Sequence, residues 1–132
     1  MENIMSKITL QILILAITGL LSACHNKLEV TASQLMLDFK TDEKAAIAKY
    51  LDKEVTVAVP VQIMILGFDG GLVISYNNNV DETNIEFNIP KSELKNAKIL
   101  KTGEVANIVG VCANAGKGRD IVFNNCKVVP LD

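Results

Sequence analysis

The chain has 132 residues, 13 basic against 15 acidic side chains, a formal net charge of -2, and 49% hydrophobic residues with one histidine and no tryptophan. That length holds one domain, and the slightly negative balance supplies no electrostatic basis for gripping phosphate backbones. The single imidazole, His25, sits near the start, which excludes most metal cages and every Ser-His or Cys-His catalytic pair that needs a histidine inside the domain.

A short polar start with Lys7 leads into an apolar run from Ile8 to Leu21 and then Leu21-Ser22-Ala23-Cys24. The run, about 14 residues, falls short of the 18 or more of a membrane span, and small residues before a cysteine suit a signal peptidase pocket. Residues 1–23 are therefore read as a secretory signal peptide, and the four residues ending at Cys24 resemble a bacterial lipobox. That resemblance implies diacylglycerol on the Cys24 thiol, cleavage just before it, and usually acylation of the new amino group. Several acyl chains anchor stably where one is marginal, so the membrane is the first expected partner. The other reading is an ordinary signal peptide with an incidental cysteine.

Residues 24–30 are then lipid anchor and tether, and 31–132 the domain. His25 to Val30 carries no core pattern and reaches about 20 Å when extended, so the domain rides close to the headgroups and His25 is an exposed linker residue. A lipobox implies a cell-envelope address facing the periplasm. The outer membrane is favoured over the inner, because His25 is not the aspartate that retains many enterobacterial lipoproteins inside.

Thr31-Ala32-Ser33-Gln34 reads as a capping box that opens a helix. Leu35, Met36, Phe39, Ala46, Ile47 and Tyr50 follow helical spacing, with Lys40, Asp42, Glu43, Lys44 and Lys49 on the solvated side. Thr41-Asp42 is a point where the helix can break in two, with Thr41 as the second cap. Phe39 and Tyr50 are read as core aromatics packed against a sheet.

From Glu54 the period becomes two: Val55, Val57, Val59 and Val61 alternate with Thr56, Ala58, Pro60 and Gln62, and Ile63 to Leu66 continues apolar, predicting one long strand. Pro60 lacks an N–H for a ladder and marks an edge stretch or a bend. Gly67 to Gly71 is a turn, Leu72 to Tyr76 a second strand, and Ile85, Phe87 and Ile89 a third that stops at Pro90. Ser92 to Lys95 suggests a helical turn, Val105 to Cys112 a fourth strand, Ala113 to Arg119 a loop, and Ile121 to Val129 a fifth strand.

A helix followed by five strands, with a helical turn between the third and fourth, matches the order of elements in a closed five-stranded OB-fold barrel, mainly β in class. Thr31 to Val129 resembles the tRNA anti-like family of OB-fold proteins, many of them secreted or lipid-anchored. The resemblance rests on Asp42-Glu43-Lys44-Ala45-Ala46 with Tyr50 and Lys53-Glu54-Val55, on Leu100 to Val105 with Gly110-Val111-Cys112, and on Asp120 to Cys126. Val57-Ala58-Val59-Pro60 departs from the pattern where such proteins often carry a glycine. None of these segments is a catalytic motif, and the family name records a likeness to anticodon-binding domains without establishing tRNA binding.

Cys112 and Cys126 remain after the lipobox cysteine is spent. An oxidising compartment suggests a disulfide between them. A tight hairpin around Ala113 to Arg119 would instead set Cys112 opposite Asp120 and Cys126 opposite Ala106, an offset of about 20 Å that no bond bridges. The family resemblance favours the bond, worth about 3 kcal/mol in this loop; the alternative is two buried, unpaired thiols. Neither cysteine has the neighbours for a catalytic or metal role.

Asn114 to Arg119 is the one compact basic, glycine-rich loop and holds the sole arginine. It is not a P-loop, because Gly110 and Gly116 are wrongly spaced and Lys117 precedes Gly118. Lys117 and Arg119 are a candidate ligand loop beside the barrel face, or a solvated hairpin tip. Asp42-Glu43 and Asp81-Glu82 are sequence neighbours, which cannot flank a substrate, and read as solvated charge. No catalytic, cofactor or metal residues are assigned. The preferred function is a non-enzymatic, lipid-anchored interaction protein with an envelope protein partner. The alternative is single-stranded nucleic acid or oligosaccharide binding through the barrel face and the 113–119 loop, which normally wants outward aromatics such as Tyr76 or Phe87 would be.

Overall fold

The computed structural model describes residues 27–79, 83–116 and 119–130. The signal segment, Cys24, His25, Asp81, Glu82 and Lys117 lie outside the described residues. The elements in chain order are β1 (Leu28–Thr31), α1 (Ala32–Thr41), α2 (Glu43–Tyr50), β2 (Glu54–Pro60), β3 (Ile63–Leu66), β4 (Leu72–Tyr76), β5 (Ile85–Ile89), a 3₁₀ turn (Lys91–Glu93) running into α3 (Leu94–Ala97), β6 (Val105–Gly116) and β7 (Arg119–Val129).

The seven strands form one sheet in the order β1-β2-β6-β7-β5-β4-β3. β1 runs parallel to β2 and β5 parallel to β7; the other pairs are antiparallel. β2 and β3 stand second and last in that order although only Val61 and Gln62 separate them in the chain, so the sheet must curl around its core. The fold is OB-like, mainly β with three short helices. It is not the closed five-stranded barrel expected from sequence, because the order stays open and contains seven strands.

Two local causes account for the extra strands. The expected long first strand breaks after Pro60, which has no N–H to continue the ladder. Val61 is held by the loop instead, its N–H donating to Glu104 O at 2.9 Å and its carbonyl accepting from Gly103 N at 2.8 Å. Gln62 then restarts pairing with its side chain: Nε2 donates to Asn77 O and Oε1 accepts from Asn77 N, both at 3.0 Å. The other addition is β1. Leu28 to Val30 belonged to the expected tether, but here they pair in register with Val55 to Val57.

Inward alternation builds the core. Val55, Val57 and Val59 of β2 and Ile85, Phe87 and Ile89 of β5 are each at most 1% exposed, and Phe87 stacks on Phe123 of β7 with ring centroids 5.3 Å apart. The helices dock Leu35, Met36, Ala46 and Tyr50 into the same cluster. Thr31 caps α1 by accepting from Gln34 N at 3.1 Å, but the Gln34 side chain reaches forward to Asp38 Oδ1 at 2.7 Å and does not close the expected box. The break at residue 42 is present, and its cap is Asp42, accepting from Ala45 N, in place of Thr41.

The β6–β7 hairpin corrects the cysteine geometry. β6 continues to Gly116, so Ala113 to Gly116 is strand and not loop. Register shifts place Cys112 opposite Phe123. A bulge at Asn124-Asn125, with Asn125 at φ 52°, reverses the parity of β7. Ile121 and Phe123 point inward before it, Cys126 and Val128 after it. Cys126 thereby turns over Gly110, where an added Cβ would fall 2.5 Å from its Sγ; glycine is the residue that leaves room. Both thiols are free and buried in this structure. Burial, with Asp52 nearby, pushes the Cys112 thiol up to about 11, and burial pushes Cys126 up to about 12.

Tyr50 ties the two helices together. Its hydroxyl donates to Asp38 Oδ2 at 2.5 Å and its ring stacks on Phe39 at 5.9 Å. The Tyr50 hydrogen bond, and then that from Gln34, hold the Asp38 carboxyl below its usual 3.8. Burial, then Asp38, raises Tyr50 above its usual 10.

Two predictions follow from these contacts. Because the folded state depresses Asp38, its contribution is fully present above pH 3.8 and is lost as the pH falls through the lower folded value. Tyr50→Phe should therefore destabilise the protein by about 1–2 kcal/mol at pH 7 and by less at pH 3, measured as urea midpoints; an equal loss at both would contradict the role of the carboxylate. For the thiols, alkylation mapped by mass spectrometry without reductant should leave Cys112 and Cys126 unmodified in the folded protein and modify both in urea. A recovered Cys112–Cys126 linked peptide would contradict the free-thiol structure.

Candidate functional site

The face expected to bind is built by the outward residues of β4, β5 and β7. Register sets Ser75 opposite Glu86, Val73 opposite Asn88, and Glu86 beside Val122. Asn88 Nδ2 donates to Asn124 Oδ1 at 3.0 Å, so the amides in this row satisfy each other. Arg119 is exposed at the start of β7, opposite Gly116. Next to it Asp120 Oδ1 accepts from Asn84 N at 3.1 Å and Asn84 O accepts from Ile121 N at 2.9 Å, which fixes the loop before β5 against β7. The described residues of the face thus mix valines and small polar groups with two carboxylates, Glu86 and Asp120, and one cation, Arg119. Tyr76 and Phe87, the aromatics that a stacking platform would need, are buried at 6% and 0%, and Tyr76 OH lies 3.4 Å from Ser33 Oγ.

A second feature is an open groove of about 720 Å³ between β1, the two helices and β2, lined by Glu29, Thr31, Gln34, Asp38, Lys49 and Tyr50 among others. Lys49 Nζ lies 3.8 Å from Asp38 Oδ2 and 5.1 Å from the Tyr50 ring centroid. With Tyr50, Gln34 and Lys49 all directed at it, Asp38 is a poor general base, and the raised Tyr50 is a poor acid at neutral pH. The cluster joins α1 to α2. Of the acidic pairs noted in the sequence, Asp42 caps a helix. Among the described residues no group of three His, Cys, Asp or Glu side chains converges as a metal site.

The third feature is the β3–β4 hairpin. All four residues of β3 are exposed, Ile63 at 53%, Met64 at 37%, Ile65 at 57% and Leu66 at 77%, and Phe68 in the following turn is fully exposed. Asp69 shapes that turn by accepting from Gly71 N at 2.9 Å, and Gly70 takes φ 84°. In the sequence, Ile63 to Leu66 reads as the end of one long strand. An unbroken apolar run is ordinarily buried on both faces. The available signal was Phe68 inside a glycine-rich turn, where the fold has nothing to pack against it. A contiguous exposed apolar patch on a folded domain marks an interaction surface.

The chain belongs to the tRNA_anti-like family, whose model matches residues 1–128. No curated protein matches it. Among solved structures it is similar to a lipoprotein from Klebsiella pneumoniae subsp. pneumoniae called a candidate nucleic acid-binding protein. The two share 22% identity with a TM-score of 0.62, over 83% of this chain and 97% of that one. At that identity the likeness establishes the OB-like fold.

Proposed function

We propose that the chain is a lipid-anchored, envelope-facing, non-enzymatic OB-like protein that recognises a protein partner through its β3–β4 hairpin. The observation that carries this reading is the exposed apolar surface from Ile63 to Phe68. Lipid attachment at Cys24 rests on the lipobox resemblance and is supported by the lipoprotein identity of the Klebsiella neighbour. Anchoring through so short a tether keeps the hairpin near the membrane, where an envelope protein is the available partner.

The second reading is single-stranded nucleic acid or oligosaccharide binding through the barrel face with Lys117 and Arg119, and the neighbour's description favours it. Such binding rests on a positive groove and stacked aromatics. The described outer face has Glu86 at its centre and its aromatics turned inward, which weighs towards the protein partner.

Fluorescence anisotropy with single-stranded oligonucleotides at low salt, using the full-length protein in detergent, separates the two. The expected result is weak binding that Arg119→Ala leaves unchanged. Tight binding that falls steeply with salt and weakens with Arg119→Ala would overturn the protein-partner reading. In parallel, radiolabelled palmitate should be incorporated into the wild-type protein and not into Cys24→Ala; equal labelling of the variant would contradict lipid attachment at Cys24.

A further inference from the structure

We propose that the partner of the β3 edge is a second copy of this chain, paired antiparallel through β3 about a two-fold axis at Ile65. The proposal rests on the protein-partner reading above and specifies its occupant.

Among the described residues β3 is the terminal strand of the sheet, with β4 on one side only. Hydrogen-bonded pairs alternate along an antiparallel ladder. Gly67 N donates to Gly71 O at 2.8 Å, and the register pairs Ile65 with Val73 and Ile63 with Ser75. Those pairs are therefore the hydrogen-bonded ones, and the N–H and C=O groups of Met64 and Leu66 point to the free edge. Proteins that stay monomeric protect such an edge with lysine, proline, a bulge or an inward charge. Val61 to Phe68 has none of these: its residues are Val, Gln, Ile, Met, Ile, Leu, Gly and Phe.

The edge is complementary to itself. When two copies meet antiparallel, only Met64 and Leu66 have backbone groups to exchange. Pairing Met64 with the partner's Leu66, and the reverse, satisfies both strands and sets Ile65 beside the partner's Ile65 on the axis. The side chains brought together from Gln62 to Phe68 are uncharged, and all but Gln62 and Gly67 are apolar, so no like charges oppose, and the contact is isologous and closed. Ile63, Met64, Ile65 and Leu66 are 53%, 37%, 57% and 77% exposed and Phe68 wholly so; their exposed surface, roughly 700 Å² per copy, is the upper bound on what pairing buries, against about 800 Å² per partner in a standard interface. Insertion of this hairpin into lipid would leave the Met64 and Leu66 backbone groups without partners in hydrocarbon, at several kcal/mol each. A second β3 supplies those partners.

The test places the photocross-linker p-benzoylphenylalanine at Ile65, and separately at Phe68, in the full-length protein and irradiates cells that produce it. The expected product at both sites is one adduct of twice the chain mass. Its linked peptides should join position 65 to the partner's Ile63–Leu66 segment and position 68 to the region of the partner's Gln62. Ile65→Lys, which alters only an exposed side chain, should reduce the position-68 adduct at least tenfold while circular dichroism stays unchanged. An adduct containing only a different protein would overturn the self-pairing and leave the protein-partner reading standing. A folded protein that forms no protein adduct from either site would overturn both.

Discussion

The architecture depends on how the chain turns the corner between Pro60 and Ile63. A continuous strand there would keep donating to one neighbour. Pro60 cannot donate, so the ladder with β6 ends, and the next residues need other partners if their backbone groups are to stay satisfied. Val61 finds them in the Gly103–Glu104 loop, and the Gln62 amide stands in for a strand residue opposite Asn77. The chain can then leave the second strand of the sheet and rejoin it at the last, with Val61 and Gln62 bonded on the way. The same corner that wraps the sheet around its core also makes β3 a terminal strand with a free edge.

Bulges and caps do comparable work elsewhere. The Asn124-Asn125 bulge inserts one residue into β7 and so keeps the inner face apolar across a register change, with Cys126 placed over Gly110. Asp42 stops α1 and starts α2 at one residue, which brings Phe39 and Asp38 back over Tyr50. These devices leave the buried thiols packed as small hydrophobes.

Much of this was legible in the residues. Period-two alternation located the inner faces of β2 and β5, helical spacing selected Leu35, Met36 and Tyr50 for the core, and Thr31 announced the helix start. The Gly67 to Gly71 turn fell between strands as its composition implies, whereas Ala113 to Gly116 of the expected 113–119 loop is strand. Three features were hidden for physical reasons. Leu28 to Thr31 is too short to show periodicity and becomes a strand only because β2 offers a parallel edge. A bulge changes parity without changing composition, so Cys112 and Cys126 could not be placed from a regular ladder. The exposure of Ile63 to Leu66 is set by the tertiary path of the corner; in sequence, the run is the same as that of a buried strand.

The surface left by this fold has two different characters. The expected binding face mixes valines with Ser75, Glu86 and a bonded Asn88–Asn124 pair, with Tyr76 and Phe87 committed to the core. The β3 hairpin has unspent apolar area and unspent backbone hydrogen bonds in the same place, a combination that another strand can satisfy and solvent, lipid or nucleic acid cannot fully match. The central claim is that the outward amides of β3 are free in one copy. Residue-resolved amide hydrogen exchange across protein concentrations measures this most directly. At high dilution Met64 and Leu66 should exchange fast while Ile63 and Ile65, paired to β4, exchange slowly, and raising the concentration should slow Met64 and Leu66 selectively. Protection of Met64 and Leu66 equal to that of Ile65 at every concentration would mean that the edge is covered within one chain, and would contradict the open sheet.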